Sequence, residues 1–205
     1  MTRRRALLAH VQSGGRLPAG YREVAYIDGT TGGEHIETGI YSKKFDGVLI
    51  KFQFLSGNTS EYRVFGAYNP GAGIDSYTGL RIWTYNDHTI SPKNKIYDGN
   101  VHTIVGTESG TWTYDNNMVL ANAPIDTQNK VSITLFRMRY SNGTLYGEAV
   151  SRLYSFEYTR NGETICNLIP CYRKSDSEPG MYDLVTGTFF TNAGTGAFTV
   201  GPDVN

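Results

Sequence analysis

The chain of 205 residues has little cysteine and no long apolar run. Its two cysteines, Cys166 and Cys171, are separated by Asn-Leu-Ile-Pro, a spacing that matches neither a CxxC redox motif nor a zinc site. We predict that both lie in strands as small apolar residues, with a disulfide across a bend at Pro170 as the alternative. No stretch approaches the roughly 20 apolar residues of a transmembrane helix, and Ala6 to Val11 is too short for the core of a secretion signal. These absences predict synthesis as a soluble cytoplasmic protein.

An excess of charge of one sign is also missing, because 19 Lys and Arg residues are balanced by 19 Asp and Glu residues. This balance gives no general signal for nucleic acid, and we expect neither a nucleic-acid nor a membrane partner. Residues 1–16 nevertheless contain four arginines and no acid. We predict that they form a basic arm, either disordered or docked on a larger assembly. Its candidate docking residues are Arg3, Arg4, Arg5, Leu7, Leu8 and Val11.

Helical periodicity is absent beyond this arm, and the composition is typical of strands and turns. The chain has 15 Tyr, 9 Phe and 24 Gly; aromatic residues favour strands, and glycines favour turns. One sandwich or barrel commonly takes about 200 residues, so we predict a single β domain over residues 17–205. The predicted strands are 22–28, 35–40, 47–55, 62–68, 79–86, 102–108, 111–115, 118–121, 131–139, 148–159, 163–169, 181–185, 188–191 and 197–200.

Alternating apolar residues predict which strand faces are buried. Every second residue of a strand faces the same side, and three sets of mainly apolar residues follow this alternation. Asn142-Gly143 and Asn161-Gly162 are typical of tight hairpin turns, and connections this short favour antiparallel sheets packed in two layers. The three predicted core faces are Val48, Ile50, Phe52 and Phe54; Val131, Ile133 and Leu135; and Val150, Tyr154, Phe156 and Tyr158.

Short motifs spread over residues 17–202 carry a resemblance to a known family. They are Leu17 to Tyr21, Val24 to Ile27, His35 to Ile40, Thr134 to Phe136, Gly147 to Phe156, Ile169 to Cys171, Gly180 to Asp183 and Gly187 to Asn192. These motifs resemble the concanavalin A-like lectin/glucanase (laminin-G-like) domains of phage virion and gut-bacterial surface proteins. The resemblance implies a jelly-roll sandwich of two antiparallel sheets. Members bind glycans, sometimes through calcium, and some hydrolyse them, so each activity has to be judged from residues.

Catalytic motifs are missing from the chain. Glycoside hydrolysis needs two carboxylates flanking the scissile bond, and the Glu-x-Asp-x-x-Glu strand of the glucanase branch has no counterpart here. Glu34 and Glu37 are the nearest pair, but their spacing puts them on opposite faces of a strand. There is also no nucleophile elbow, phosphate loop or His-Glu-x-x-His motif. We predict a protein that is not an enzyme, with a glycoside hydrolase as the less favoured alternative.

Calcium-binding motifs are also weak. Calcium requires several oxygen ligands on one shaped loop, whereas Asp75, Asp87, Asp98 and Asp115 never combine as Asp-x-Asp. We predict no required cofactor and keep calcium as the alternative. Asp183, in a turn after Gly180 to Tyr182, is predicted to accept backbone hydrogen bonds within that turn.

Aromatic and planar polar side chains indicate candidate carbohydrate contacts. Trp83 and Tyr85 share a predicted strand face with Arg81, opposite Leu80 and Ile82; the alternative is that both rings belong to the core. Trp112 and Tyr114 form a second aromatic pair, for which we favour core packing. Arg137 and Arg139 continue the face of Leu135 and are expected to be solvated, with an anionic sugar or a neighbouring subunit as the alternative. The candidate carbohydrate-binding residues are Arg81, Trp83, Tyr85, Asn86, Asp87 and His88.

These features predict a non-enzymatic, lectin-like adhesion protein displayed on the surface of a bacteriophage virion. The arm of residues 1–16 would tether it to capsid or tail proteins, and the sandwich would bind bacterial surface glycans. The alternative is a purely structural capsid decoration or head-fibre protein without a sugar ligand. A homo-oligomer is compatible with either role.

Overall fold

The computed structural model describes residues 15–43, 45–56, 63–68, 73–75, 80–82, 88–90, 98–115, 118–122, 131–140, 142–147 and 150–204. All regular elements in these ranges are strands, which confirms the predicted all-β class. None of the described residues forms a helix long and apolar enough to cross a membrane. The strands are β1 (Tyr21–Glu23), β2 (Ile27–Gly29), β3 (Ile36–Glu37), β4 (Gly47–Ser56), β5 (Arg63–Tyr68), β6 (Gly73–Asp75), β7 (Leu80–Ile82), β8 (His88–Ile90), β9 (His102–Gly106), β10 (Thr111–Tyr114), β11 (Met118–Asn122), β12 (Thr134–Leu135), β13 (Met138–Tyr140), β14 (Leu145–Tyr146), β15 (Val150–Arg160), β16 (Glu163–Arg173), β17 (Glu178–Asp183), β18 (Phe189–Thr191) and β19 (Thr199–Val200).

The first sheet is built around the long strands β4, β15 and β16. Its strand order is β11-β10-β9-β4-β15-β16-β17-β18, with β1 paired to β16 and β2 paired to both β15 and β19. All these pairs are antiparallel. The β15–β16 hairpin turns at Asn161 and Gly162, whose φ angles are 54° and 76°. Positive φ at both central residues is the geometry that Asn-Gly favours, so the predicted turn is confirmed.

The second sheet has the order β14-β13-β5-β6-β7-β8, and β12 joins β3 to β5. One of its pairs is parallel: β13 runs alongside β5, with Arg139 opposite Ala67. This pair departs from the predicted purely antiparallel sheets. The predicted strand 131–139 is broken at Phe136, where φ is 67°. The chain leaves β12 there and returns as β13 in the opposite direction.

The core lies between the two sheets. Phe156 of the first sheet and Phe65 of the second meet at a ring-centroid distance of 5.7 Å, and both are buried. Burying an aromatic ring stabilises the fold by about 2 kcal/mol or more relative to leaving it exposed. The predicted inward face of β4 is confirmed, because Val48, Ile50, Phe52 and Phe54 are all buried.

The predicted inward face of β15 is partly wrong. Phe156 and Tyr158 are buried as expected, but so is Leu153, whereas Val150 and Tyr154 are only half-buried. The β4–β15 register shifts between Leu153 and Ser155. This β-bulge adds one residue to β15 and reverses the alternation there. Tyr154 therefore leaves the set of core residues to which simple period-two counting assigned it.

Candidate functional site

The carbohydrate-binding residues predicted from the sequence fall mostly beyond the part of the chain that the structure describes. Arg81 is placed in β7 and His88 in β8, and backbone pairing puts Arg81 between Asp75 and Thr89. Ile82 lies in the same backbone register row as Phe65 and Ile74, and the predicted alternation of side chains along β7 stays a prediction. Outside the described residues lie Trp83, Tyr85, Asn86 and Asp87, and also the docking residues Arg3, Arg4, Arg5, Leu7, Leu8 and Val11.

The second predicted aromatic pair belongs to the core, as favoured. Trp112 is 1% exposed and Tyr114 is 7% exposed. The Tyr114 ring stacks on His102 with centroids 4.8 Å apart. Burial and the negative charges of Asp115 and Asp98 raise the pKa of the Tyr114 hydroxyl. Neither ring is placed to stack on a ligand.

An aromatic and polar surface missed by the sequence analysis lies on the first sheet. We call it the tyrosine platform and define it by Tyr26, Asp28, Lys51, Gln53, Arg152 and Tyr154. The rings of Tyr26 and Tyr154 meet edge to face, with centroids 5.7 Å apart. The guanidinium of Arg152 lies 3.4 Å from the Tyr26 ring centroid. Stacking of this kind holds the aromatic and cationic groups in fixed positions.

Hydrogen bonds fix the polar groups of the platform. Arg152 donates from Nε and Nη2 to the two carboxylate oxygens of Asp28, at 2.8 and 2.9 Å. This paired bond is the main cause that raises the pKa of Arg152. The Tyr154 hydroxyl donates to Gln53 Oε1 at 2.9 Å, and Lys51 Nζ lies 5.5 Å from the Tyr154 ring centroid. The platform therefore presents a half-buried phenol surrounded by a carboxamide and two cations.

The β-bulge at Tyr154 is the signal that could have revealed this surface. Bulges re-aim side chains and are frequent beside functional sites. Leu153 and Phe156 are three residues apart in the sequence Leu153-Tyr154-Ser155-Phe156. Residues at that spacing face opposite sides of a regular strand, so both can face the core only if the alternation is broken between them. Such a break in alternation indicates a bulge between Leu153 and Phe156, and the register with β4 decides that Tyr154 is the residue that leaves the core.

A second polar site surrounds Glu37 of β3. We call it the arginine cluster and define it by His35, Glu37, Ser132, Arg137 and Arg139. Glu37 Oε1 accepts a hydrogen bond from Arg139 Nη2 and lies 3.2 Å from His35 Nε2; Oε2 accepts from the Ser132 hydroxyl at 3.2 Å. Both arginines are half-buried, so the expectation that they are solvated is wrong. The reason is long-range, since Glu37 and Arg139 are 102 residues apart in sequence.

The arginines also hold the β13–β14 hairpin. Arg137 Nη2 donates to the carbonyl of Leu145 at 3.0 Å, and Arg139 Nη1 donates to the carbonyl of Gly143 at 3.1 Å. Burial lowers the pKa of His35, and the charges of Arg137 and Arg139 lower it further. His35 is therefore neutral at pH 7, and Glu37 is the negative member of the cluster.

Other carboxylates serve local structure. Asp98 and Asp115 each contact one ring nitrogen of His102 at 2.9 Å. Asp183 is buried and accepts hydrogen bonds from Asn167 N at 2.8 Å, from Val185 N at 3.1 Å and from Thr186 Oγ1 at 2.7 Å. The predicted turn role of Asp183 is confirmed. Within the described ranges, no group of three or more His, Cys, Asp and Glu side chains could hold a metal ion.

The cysteines are buried and unbonded in one strand. Cys166 and Cys171 both lie in β16 and are free, which confirms the prediction of small apolar residues. The chain does not bend at Pro170, which pairs with Met181 inside the ladder. Burial raises the pKa of both thiols, that of Cys171 to about 12. Neither thiol is a reactive group.

One loop presents two exposed aromatic residues. Tyr41 is 49% exposed and Phe45 is 50% exposed, and Phe45 has a φ of 62°, which is rare for a bulky side chain. The loop is anchored by buried Asp46, whose oxygens accept from Arg160 at 2.7 and 2.6 Å. Arg160 also donates to the carbonyl of Tyr41 at 2.9 Å.

Neither models of protein families nor curated proteins give a match to this chain. The two surface sites and the exposed loop are therefore the basis for inferring its function.

Proposed function

We propose that this chain is a non-enzymatic carbohydrate-binding and adhesion protein, and that the tyrosine platform is a carbohydrate contact. The observation that carries the proposal is the β-bulge that places Tyr154 outside the core, beside Tyr26 and Gln53. A phenol ring offers an apolar face to the C–H surface of a sugar, and neighbouring polar groups can bond its hydroxyls.

The polar groups of the platform are suited to a hydroxyl-rich ligand. Gln53 accepts from Tyr154 at 2.9 Å and donates to the carbonyl of Gly99, so its carboxamide is held in one orientation. The Arg152–Asp28 pair adds planar donors and acceptors at 2.8 and 2.9 Å. Groups that are already ordered lose little side-chain entropy when a ligand binds. A site that combines an aromatic face with ordered polar groups favours a sugar over an extended apolar ligand.

We further propose the setting in which this site acts. Residues 1–16 would tether the protein to the capsid or tail of a virion assembled in the host cytoplasm, and the sandwich would bind bacterial surface glycans. The support is the concentration of positive charge in residues 1–16 beside a domain with 15 basic and 19 acidic residues. The predicted residues Arg81, Trp83, Tyr85, Asn86, Asp87 and His88 remain a second proposed carbohydrate contact.

Binding to an array of bacterial surface glycans tests the platform. Tyr154→Ala removes the ring, and we expect it to weaken glycan binding by roughly tenfold or more, in line with the loss of one aromatic stacking contact. Tyr146→Ala is the matched control, because Tyr146 is 37% exposed and belongs to a different sheet. Tyr154→Phe keeps the ring but loses the bond to Gln53, and its affinity should lie between those of the wild type and the Ala variant.

The same binding measurements can contradict the proposal. If a folded Tyr154→Ala protein binds every glycan as the wild type does, the platform is not a carbohydrate contact. A wild-type protein that binds no glycan or bacterial cell, with and without calcium, would exclude the adhesion role itself. Release of reducing ends from capsular polysaccharide would instead support the glycoside hydrolase alternative.

A structural role on the particle is the second candidate. The exposed aromatic residues Tyr41 and Phe45 lie in a loop anchored by the Asp46–Arg160 ion pair, and they favour this role because aromatic side chains are enriched in protein interfaces. A capsid decoration or head-fibre protein of this kind would need no sugar. Replacement of Tyr41 and Phe45 by Ser should then abolish particle binding, whereas Tyr154→Ala should leave it unchanged. Deletion of residues 1–16 separately tests the tether.

A further inference from the structure

Buried polar atoms without a partner are concentrated in the arginine cluster. Six buried side-chain nitrogen or oxygen atoms in the described part of the chain make no hydrogen bond, and three of them are His35 Nδ1, Arg137 Nε and Arg139 Nε. Buried polar groups in proteins nearly always find a partner, so each exception needs an explanation such as a bound ion. Because the Glu37 carboxylate can only accept from His35 Nε2, the neutral ring has no proton on Nδ1. The two unpartnered guanidinium nitrogens, Arg137 Nε and Arg139 Nε, are therefore the donors that indicate a site for a ligand that accepts hydrogen bonds.

The charges in the cluster indicate the sign of that ligand. Arg137 and Arg139 contribute two positive charges and Glu37 contributes one negative charge, which leaves a net charge of +1 while His35 is neutral. Arg139 pairs with Glu37, but among the described residues no carboxylate pairs with Arg137. A half-buried guanidinium without a counter-charge is costly.

The surroundings of His35 restrict the direction of approach. A β carbon at Gly194 would lie 2.6 Å from His35 Nδ1, so the loop containing Gly194 covers that side of the ring. Asn192 in the same loop accepts from the His35 backbone N–H at 3.1 Å. His35 therefore closes one side of the cluster, and the two guanidinium groups are the donors that remain for a ligand.

We propose that the arginine cluster binds an oxyanion, with Arg137 as its principal donor and Arg139 as the second. A guanidinium offers donors in a planar fork that matches the two oxygens of a carboxylate or sulfate. Arg137 already donates from Nη2 to the carbonyl of Leu145, and its buried Nε makes no hydrogen bond, so Nε is the donor that remains for the ligand. The oxyanion belongs either to an acidic sugar or to a free ion, and the chemistry of recognition is the same.

This site is independent of the tyrosine platform. The platform lies on β2, β4 and β15 of the first sheet, whereas the arginine cluster lies on β3 and β13 of the second. Loss of anion binding would therefore leave the platform unaffected, and Tyr154→Ala should not change anion binding. The two proposals can fail separately.

Titration calorimetry and thermal unfolding of the full chain test the site. The ligands are sodium glucuronate, sodium sulfate and, as the uncharged control, galactose, all at constant ionic strength. We expect saturable binding of glucuronate or sulfate, a ligand-dependent rise in Tm and no effect of galactose. Arg137→Gln should weaken anion binding about tenfold or more, since hydrogen bonds to charged groups are among the strongest. Arg173→Gln is the control, because Arg173 is a surface arginine paired with Asp176.

Each outcome decides between the alternatives. Tighter binding of glucuronate than of sulfate assigns the site to an acidic sugar, and equal binding assigns it to a free oxyanion. The proposal is overturned if neither anion binds, if galactose binds equally well, or if folded Arg137→Gln binds as the wild type does. Should Arg137→Gln fail to fold, Arg137→Lys decides, because it keeps the charge without the fork. Unchanged affinity in that variant also overturns the assignment of Arg137.

Discussion

Trp112 of β10 occupies the space above Gly106, the residue opposite it on β9. A β carbon at Gly106 would lie 2.6 Å from Cζ3 of the indole, well inside the distance at which carbon atoms repel. Trp112 is 1% exposed, so its ring cannot move into solvent. The glycine at this position is therefore required by packing rather than by its backbone conformation.

Replacement of Gly106 by Ala should destabilise the fold by about 2 kcal/mol, because an extra methyl group overpacks the core. Urea unfolding measures the change. Gly20→Ala is the control, since a β carbon at Gly20 meets nothing within 4 Å. The combination Gly106→Ala with Trp112→Phe should be less destabilising than the sum of the two single changes. Strict additivity would contradict the contact.

Asp183→Ala should destabilise the protein by about 3 kcal/mol. The buried carboxylate accepts hydrogen bonds from Asn167 and Val185 backbone N–H groups and from the Thr186 hydroxyl, and its removal leaves buried donors without a partner. Urea unfolding of Asp183→Ala is compared with that of Asp176→Ala, which alters an exposed ion pair. The two variants should differ clearly, and equal midpoints would refute the role of Asp183.

His35 should make stability depend on pH below neutrality. Its folded-state pKa is lowered from 6.5 by burial and by the two arginines, so the unfolded chain binds a proton at higher pH than the folded chain. Stability is therefore lost as pH falls below about 6.5. Unfolding free energies at pH 7.5 and 5.5 should differ more for the wild type than for His35→Gln. An identical difference in both proteins would show that His35 does not titrate with folding.

Cys166 and Cys171 should resist thiol reagents in the folded protein. Burial raises the pKa of both thiols from 9.0, and the thiolate is the reactive form. Labelling at pH 8 should be slow in buffer and complete in urea. The unfolded thiols ionise at lower pH than the folded ones, so stability should also fall as pH rises above about 9. Rapid labelling of the native protein would contradict the burial of β16.

Local patterns in the sequence account for most strand positions. Val48 to Phe54 alternate along β4 as predicted, and Asn161-Gly162 makes the predicted turn. Short strands were missed, namely Gly73–Asp75, His88–Ile90 and Leu145–Tyr146, because two or three residues are too few to show a period. The predicted strand 22–28 is divided into Tyr21–Glu23 and Ile27–Gly29. The concanavalin A-like topology itself stays a prediction.

The candidate sites were less predictable than the strands. Arg137 and Arg139 were selected from the sequence, but their partner Glu37 is about 100 residues away. Tyr154 was assigned to the core because a bulge depends on register with β4, which the sequence of β15 alone does not specify. The residues chosen around Trp83 remain predictions.

The sequence by itself determined the all-β class, the main hairpins, the turn role of Asp183 and the burial of both cysteines. These follow from alternation and from backbone preferences, which act between residues close in the chain. Only the tertiary structure decided that β13 runs parallel to β5, that Tyr154 leaves the core and that Arg139 pairs with Glu37. Those features depend on strand register and on contacts between distant segments, which exist only after the two sheets have packed together.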